Sequence, residues 1–566
     1  MKKYFLIYLA TLCCIGANAV DIKRYVKEGG TGNGLTWETA TGDLETVLNL
    51  ASQVDNLDVF VGEGTFTGNF KIEGNTRLLG QFAGNEGFHN SNMLTKLVGN
   101  IRLEGILAYV DVSGSVEMNQ AVMVKVNVYG SDENGIHVFQ TGGESRLTGC
   151  SAYQNKTGCS LYGGKLTMER CSFYDNEYSG FSTRDGSVIA SGCYFGTNKG
   201  PGCELSNLGS SCRFSNCEFI ENKQGGFIGG VISGRHVLER CRISDNTSTE
   251  PGAGIYASRN VAVYHSFIYN NESTHAKGSA VYVLSPNNYF CNCTLFNNKN
   301  GIYIEEGFAY EKAEQPLMTN CALWHNGADF INPANCTYQL EACALEGGTG
   351  IPELDAERGI LTLSSENEGT GTAGNYPGFG DGLDLLPASC LINKGKMTGY
   401  ENRDYWNRPC NVLGGYDIGA SEYQGIYQWV AGSAPVTLNK EEYKLAFTTF
   451  KGVTYYSLIS TQSVKEETGE LVADVKTIYL GTKRNAYTVV AGTPYIGVYR
   501  EGKAGEKAFC NILEWHEKAG WEPLRMVIYT AGKDKPVLRK HPTQKNYLNV
   551  TQAGRTSSID VYVYKR

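Results

Sequence analysis

Short runs in which apolar and polar residues alternate recur along the middle of this chain. Phe181 and Cys203 open two of these runs directly after a glycine, and Phe214 lies inside another. Alternation with a period of two is typical of a β-strand that turns one face inward. The pattern therefore predicts many short strands, each with a buried face.

The runs belong to a repeat that is anchored on cysteine and asparagine. An Asn lies five residues after each anchor, successive anchors are 21 to 28 residues apart, and one unit has Ser in place of Cys. The units are Cys150–Asn155, Cys171–Asn176, Cys193–Asn198, Cys217–Asn222, Cys241–Asn246, Ser266–Asn271, Cys293–Asn298 and Cys321–Asn326. A unit of this length has about three short strands and cannot bury its apolar face alone, so successive units must stack as coils.

Stacking predicts a structural role for each repeated residue. Cysteine is small and apolar enough for a narrow interior. The asparagine is expected to adopt the left-handed backbone conformation at a corner, with its amide bonded to the asparagines of neighbouring coils, and glycine is expected at the next bend. A metal site would need close Cys pairs or clustered His, whereas Cys291 and Cys293 are the one close pair after the leader. We therefore expect no metal in the repeat.

At this point the repeat resembles a known family. Its Cys-x-Phe/Leu-x-x-Asn-x-x-Gly pattern is similar to that of right-handed parallel β-helix proteins with the pectate-lyase-like fold. Residues 25–37 and 404–409 resemble the entry and closing segments of exported β-helix proteins of the Bacteroidetes type. The resemblance implies an all-β, right-handed parallel β-helix solenoid with an N-terminal cap, in which residues 42–52 form an amphipathic helix. It implies no single activity, because the fold hosts lyases, hydrolases, adhesins and tail spikes.

The chain divides into five predicted parts. The basic start, the apolar run and Ala17-Asn18-Ala19 predict a signal peptide over residues 1–19. The cap is expected at 20–57, the β-helix at 58–380 and its closing module at 381–425. From residue 426 to 566 the repeat gives way to alternating strands, which predict a smaller β-sandwich-like C-terminal domain of unknown role.

These parts predict an exported bacterial protein. We expect a monomer that is secreted or associated with the cell surface or outer membrane, without a transmembrane span in the mature chain. The formal net charge of -8 argues against a nucleic-acid partner.

The 18 cysteines are expected to be mainly buried free thiols. Stacked neighbours have parallel Cβ vectors, which suit disulfide geometry poorly. Cys336, Cys390, Cys410 and Cys510 lie outside the ladder rows and stay open as bridge candidates.

The outward positions after each corner glycine do not take part in the ladder and can vary, so they are more informative about function than the repeated residues. Tyr256, Tyr282 and Tyr303 fall in register on three successive coils. Stacked, partly exposed rings form a surface on which sugars can lie, so these three are the predicted substrate-binding residues. The alternative is that the stack only stabilises adjacent strands.

Candidate catalytic residues lie nearby but form no recognisable motif. A lyase would need a base and a cation near an acidic sugar, for which Arg184, His275 and Lys277 are candidates. A hydrolase would need paired carboxylates, for which Glu204 and Glu305 are candidates. We therefore expect a protein that binds a polysaccharide, cell-surface glycan or other surface partner without catalysis. The alternatives are a polysaccharide lyase or glycoside hydrolase, and a purely structural rod. No cofactor is expected, apart from calcium in the lyase case.

Overall fold

The computed structural model describes residues 21–426 with gaps, and beyond them chiefly the backbone of paired strands. The gaps before residue 426 are 85–91, 141, 207–208, 286, 306–316, 333–339, 350–358, 366–374, 400–402, 409, 411–412 and 414. The predicted signal peptide, Cys336 and the side chain of Cys510 lie outside the described parts.

Three parallel sheets, which we name A, B and C, alternate along the chain in that order. Sheet A contains Asp21–Val26, Asn56–Gly62, Thr76–Phe82, Ile106–Ala108, Val122–Val124, Glu144–Thr148, Lys165–Glu169, Ser187–Ser191, Cys212–Ser215, His236–Glu239, Val261–Tyr264, Tyr289–Cys291, Met318–Thr319 and Leu340–Glu341. Sheet B contains Gly64–Thr67, Thr95–Val98, Asp111–Ser113, Asn127–Tyr129, Ser151–Tyr153, Ser172–Tyr174, Tyr194–Gly196, Glu218–Ile220, Arg242–Ser244, Phe267–Tyr269, Thr294–Phe296, Ala322–Trp324, Ala344–Leu345 and Leu361–Thr362. Sheet C contains Phe70–Ile72, Ile101–Leu103, Val116–Met118, Asn134–Phe139, Thr157–Tyr162, Phe181–Arg184, Cys203–Ser206, Phe227–Gly230, Ile255–Arg259, Val281–Val283, Ile302–Ile304, Phe330–Ile331 and Gly348–Thr349.

Each strand pairs in parallel with its equivalents one coil before and one coil after. For example, Ser172–Tyr174 lies between Ser151–Tyr153 and Tyr194–Gly196. The alternation in sequence places one set of side chains inside the solenoid and the other outside. The predicted right-handed parallel β-helix is therefore confirmed.

The interior of the solenoid consists of like residues stacked from coil to coil. On sheet B, the rings of Phe173, Phe195 and Phe219 are buried and stack with centroids 5.4 and 5.0 Å apart. Cys217 is representative of the cysteine row, since it is buried and its Sγ lies 3.4 Å from the carbonyl oxygen of Ser215. The described cysteines are free thiols, including the half-buried Cys390 and Cys410 of the closing segment, and those before residue 350 are all buried. The predicted buried thiols are confirmed for this part of the chain.

The asparagines form the predicted hydrogen-bonded ladder. Asn222 Nδ2 donates to Asn246 Oδ1 at 2.9 Å, and Asn222 Oδ1 accepts from Asn198 Nδ2 at 2.9 Å. The predicted left-handed conformation of the asparagines is wrong, because it belongs to the residue before each of them, such as Asp175 (φ 53°) and Glu221 (φ 58°). Asp175 and Glu221 are exposed, so at these corners the turn is made by a residue that faces solvent while the asparagine points inward to its neighbours.

In six of the eight units, a glycine follows the ladder asparagine and makes room for the next coil. A Cβ atom on Gly180 would lie 2.8 Å from Asn198 Nδ2 and 2.8 Å from the carbonyl oxygen of Gly202. Real Cβ atoms essentially never come this close to other heavy atoms. Gly180 does not have a left-handed φ, so close approach of neighbouring coils, rather than a special backbone conformation, requires glycine here.

The predicted capping helix is present, but it is short. An α-helix at Leu44–Leu48 continues as a 3-10 helix at Asn49–Gln53. The side chain of Asp43 accepts a hydrogen bond from the Thr46 amide at 2.9 Å and so caps the helix N-terminus. Leu44 and Leu48 are buried in the main core cluster, so the helix covers apolar surface at the first coil.

Two loops between sheets B and C are joined by a small parallel sheet, which we name the loop sheet. Its strands are Thr247–Ser248 and Glu272–Ser273. Both loops lead directly into strands of sheet C that carry predicted site residues.

A second compact unit consists of residues 369–373, 378–417 and 421–566. Within it, the buried Arg408 lies 2.8 Å from Asp404 and 2.6 Å from Asp384. Short 3-10 helices occur at Asp381–Leu383 and Thr461–Ser463. Its strands pair antiparallel and are Gln428–Trp429, Val436–Leu438, Glu441–Phe450, Val453–Ser460, Thr477–Gly481, Tyr487–Gly492, Tyr495–Arg500, Phe509–Trp515, Pro536–Lys540, Tyr547–Gln552 and Asp560–Tyr562. Their arrangement as a sandwich stays a prediction.

Candidate functional site

Three tyrosines lie side by side on the outer face of sheet C. Tyr256 pairs in register with Tyr282, which pairs with Tyr303. The ring centroids are 5.1 Å apart for the first pair and 6.0 Å apart for the second. Tyr256 and Tyr303 are half-buried, whereas Tyr282 is only 5% exposed. The two outer rings therefore supply most of the accessible aromatic surface, and the central ring supports them.

A carboxylate ties the central tyrosine to a lysine from the adjacent loop. The Glu305 carboxylate accepts hydrogen bonds from Lys277 Nζ at 2.8 and 2.6 Å and from the Tyr282 hydroxyl. The same ammonium group lies 5.6 Å from the centroid of the Tyr303 ring, within the range of a cation–π contact. This Lys–Glu–Tyr cluster carries no net charge and fixes the position of the lysine against the tyrosine row.

Burial and the carboxylate make the tyrosines weaker acids. Burial, followed by the hydrogen bond and charge of Glu305, raises the pKa of Tyr282 well above its ordinary value. Burial, followed by the charges of Glu305 and Glu250, also raises the pKa of Tyr256. Both hydroxyls are therefore protonated at neutral pH and act as hydrogen-bond donors rather than as bases.

The loop that carries Lys277 is ordered by its own hydrogen bonds. Ser273 Oγ accepts from the His275 amide at 3.0 Å, and His275 Nδ1 accepts from the Lys277 amide at 3.2 Å. Gly278 has a φ of 42°, and a Cβ atom there would lie 2.8 Å from Tyr303 Cβ. The loop thus lies directly against the tyrosine row. The hydrogen bonds of His275 are to other residues of the loop, so His275 orders the loop.

The other two candidates are on the same sheet but not in the cluster. Arg184 is exposed. Glu204 is half-buried and occupies the position equivalent to Tyr282, but three strands earlier in the sheet. At ordinary strand spacing the two positions are roughly 14 Å apart. The structure therefore gathers Lys277 and Glu305 around the tyrosines, places His275 beside them, and leaves Arg184 and Glu204 apart.

Two exposed aromatic residues on the same sheet were not recognised from the sequence. Phe139 and Tyr162 are 47% and 46% exposed, and their rings stack with centroids 5.4 Å apart. An aromatic residue at an outward position of adjacent units was the available signal. It is weak, because the unit that contains Phe139 lacks the Cys and Asn anchors.

No cluster of three or more His, Cys, Asp or Glu side chains suited to a metal ion occurs among the described residues. Within the same part of the chain, no helix has the length and apolar character needed to cross a membrane.

The repeat matches a known family model. Residues 98–230 and 228–351 match the family described as right handed beta helix region. These residues include the strands of the tyrosine row and the loop sheet. This part of the chain is therefore a right-handed β-helix region in both sequence and structure.

No curated protein matches the chain, but solved structures resemble it distantly. Pectate lyase Pel9A is 16% identical over 72% of this chain and 97% of its own, with a TM-score of 0.34. The A-module of the mannuronan C-5 epimerase AlgE4 from Azotobacter vinelandii is 12% identical over 56% of this chain and 94% of its own, with a TM-score of 0.36. Tailspike protein gp49 from Acinetobacter baumannii bacteriophage Fri1, a capsular polysaccharide depolymerase, is 11% identical over 86% of this chain and 83% of its own, with a TM-score of 0.28. Likenesses this distant are no guide to activity.

Proposed function

We propose that this protein binds glycans on the outer face of sheet C without catalysing a reaction. The observation that carries the proposal is the in-register row of Tyr256, Tyr282 and Tyr303 beside the Lys277–Glu305 ion pair. Half-buried aromatic rings present apolar surface to the flat faces of sugar rings, and protonated hydroxyls and an ammonium group donate hydrogen bonds to sugar oxygens. A polysaccharide or a cell-surface glycan fits this combination.

The protonation of the cluster favours binding over catalysis. A general base works best when its pKa lies near the working pH, and the raised pKa of Tyr282 moves that group still further above neutral pH than an ordinary tyrosine. The Lys277 ammonium group is occupied by two hydrogen bonds to the Glu305 carboxylate. Hydrolysis by two carboxylates requires that they lie roughly 5 to 10 Å apart. The strand of Glu204 is four strands away from the strand that leads to Glu305, so these two carboxylates are too far apart.

A polysaccharide lyase is the alternative that the Lys277–Glu305–Tyr282 cluster favours. Binding of an acidic sugar could displace the lysine from the carboxylate, after which the freed groups would surround the substrate. Calcium is the ion expected in that case. A purely structural rod is the third alternative, since stacked rings also stabilise neighbouring strands.

The same proposal places the protein outside the cell. A bacterial protein with the leader predicted at residues 1–19 would be secreted or held at the cell surface, where glycans are available. We expect a monomer that does not bind nucleic acid.

The test compares binding and turnover in matched variants. Purified residues 20–566 are incubated with acidic and neutral polysaccharides, and binding, ultraviolet absorbance of unsaturated products and reducing ends are measured. Tyr256→Ala combined with Tyr303→Ala should abolish binding. Tyr153→Ala is the control, because Tyr153 is also half-buried and stacks 5.4 Å from Tyr129, but on sheet B.

Each outcome of this experiment has a clear meaning. Binding that is lost in the double variant and kept in Tyr153→Ala supports the proposal. Product formation would show a lyase or hydrolase instead. Absence of binding to every polysaccharide would favour the structural rod.

A further inference from the structure

A second outward row runs along sheet C beside the tyrosines. Its members occupy equivalent positions in successive coils. They are Phe139, Tyr162, Arg184, Ser206, Gly230 and Arg259. We name this set the second row. Its last member lies on the strand Ile255–Arg259, which also carries Tyr256, so the second row and the tyrosine row meet on one strand.

The first part of the second row is an exposed aromatic pair. The rings of Phe139 and Tyr162 are inclined by only 16° to each other, and nearly half of each residue is open to solvent. Exposed apolar residues that join into one patch can mark a ligand-binding surface. An aromatic pair of this kind offers flat apolar surface to one or two sugar rings.

The second part of the row is cationic. Arg184 and Arg259 are exposed and lie three strands apart, or roughly 14 Å. Among the described residues no carboxylate occupies the second row itself, and Glu204 lies on the neighbouring row. Guanidinium groups bind carboxylates and sulfates through two parallel hydrogen bonds. Two of them at this spacing suit an extended chain that carries repeated negative charges.

We propose that the second row is a subsite for an anionic glycan and that it continues into the tyrosine row. A single extended chain then lies along the solenoid axis, with sugar rings on Phe139 and Tyr162 and acidic groups on Arg184 and Arg259. From Phe139 to Arg259 the row spans five strand spacings, or roughly 24 Å. The inference rests on the proposed glycan binding and adds the selection of negatively charged chains.

The test uses pairs of polysaccharides that differ in charge. Polygalacturonate is compared with its methyl ester, and dextran sulfate with dextran, so that carboxylate and sulfate are distinguished. Arg184→Gln combined with Arg259→Gln should weaken binding of the preferred anionic chain about tenfold or more. It should reduce the salt dependence and leave the neutral chain unaffected. Glu204→Gln should strengthen anionic binding about twofold, because it removes a repelling charge.

Controls separate the subsite from general effects of charge and folding. Arg170→Gln removes one positive charge, as each substitution of the double variant does, from a highly exposed residue away from sheet C, and it should leave anionic binding unchanged. Phe139→Ala with Tyr162→Ala should weaken binding of both charged and neutral chains. Thermal midpoints of all variants should match the parent protein.

The outcomes distinguish this inference from the proposed function. If Tyr256→Ala with Tyr303→Ala abolishes binding but the arginine and aromatic variants of the second row change nothing, the inference is overturned and glycan binding stands. Equal losses in the arginine variants and Arg170→Gln would also overturn it. If no polysaccharide binds, both proposals fail.

Discussion

Replacing an asparagine in the middle of the ladder should destabilise the solenoid strongly, because its side chain forms hydrogen bonds with both neighbouring coils. In Asn222→Ala, the backbone N–H group of Asn198 loses its acceptor, Asn222 Oδ1, which lies 3.2 Å away. Asn198 Nδ2 loses one of its acceptors, and Asn246 Oδ1 and the Phe195 carbonyl oxygen each lose a donor. Asn222 is fully buried, so water cannot replace these partners. One orphaned N–H group and three further lost bonds amount to roughly 3–5 kcal/mol of unfolding free energy.

The measurement is the urea midpoint, with its slope, for the variant and the parent protein. Asn56→Ala is the control, because Asn56 is exposed and donates one cross-coil hydrogen bond, of 2.7 Å, to Asp21. Its cost should stay below about 1 kcal/mol, as for most surface substitutions. If Asn222→Ala costs no more than Asn56→Ala, the ladder does not stabilise the stack in the way argued here.

Three further predictions concern the interior. Gly180→Ala should destabilise the protein, because its Cβ would lie 2.8 Å from Asn198 Nδ2, and a thermal midpoint equal to that of the parent would contradict the close approach. Cys217 should resist alkylation until the protein is denatured, since burial raises the pKa of its thiol; mass spectrometry of the native protein would reveal early labelling if this is wrong. Burial raises the pKa of Asp329 to about 6 from an unfolded value of 3.8, so its contribution to stability is present below about pH 4 and lost as the pH rises through 6. Asp329→Asn should remove that part of the pH dependence of unfolding, and identical pH profiles would refute it.

The stacked architecture was predictable because the ladder repeats in the sequence with the same spacing as in the structure. One Cys and one Asn per unit define two corners of each coil, and parallel pairing then follows without knowledge of the loops. The left-handed residue was misplaced for a physical reason. Asparagine commonly adopts that conformation, but Asn176 and its equivalents use their side chains for the ladder, so Asp175 and its equivalents make the turn.

The tyrosine row was also predictable, since register follows directly from the repeat. The burial of Tyr282 and its bond to Glu305 were not, because both depend on where the loop that carries Lys277 lies. The loops at this place differ in length and sequence from coil to coil, so the repeat does not predict their conformation. Phe139 and Tyr162 were missed because the unit that contains Phe139 lacks the Cys and Asn anchors that mark the register elsewhere.

The division between inward and outward residues explains why the proposed binding surface lies on the outer face of a sheet, here sheet C. Inward positions on every coil are restricted by the residue above and below, as the contact between Gly180 and Asn198 illustrates. Outward positions are restricted only by their cross-strand neighbours, and a loop can approach them without disturbing the stack. The loops before Tyr256 and Tyr282 are long enough to pair with each other in the loop sheet, and the second of them holds Lys277 against the row. A solenoid can therefore acquire a binding surface by lengthening two loops, while its ladder stays unchanged.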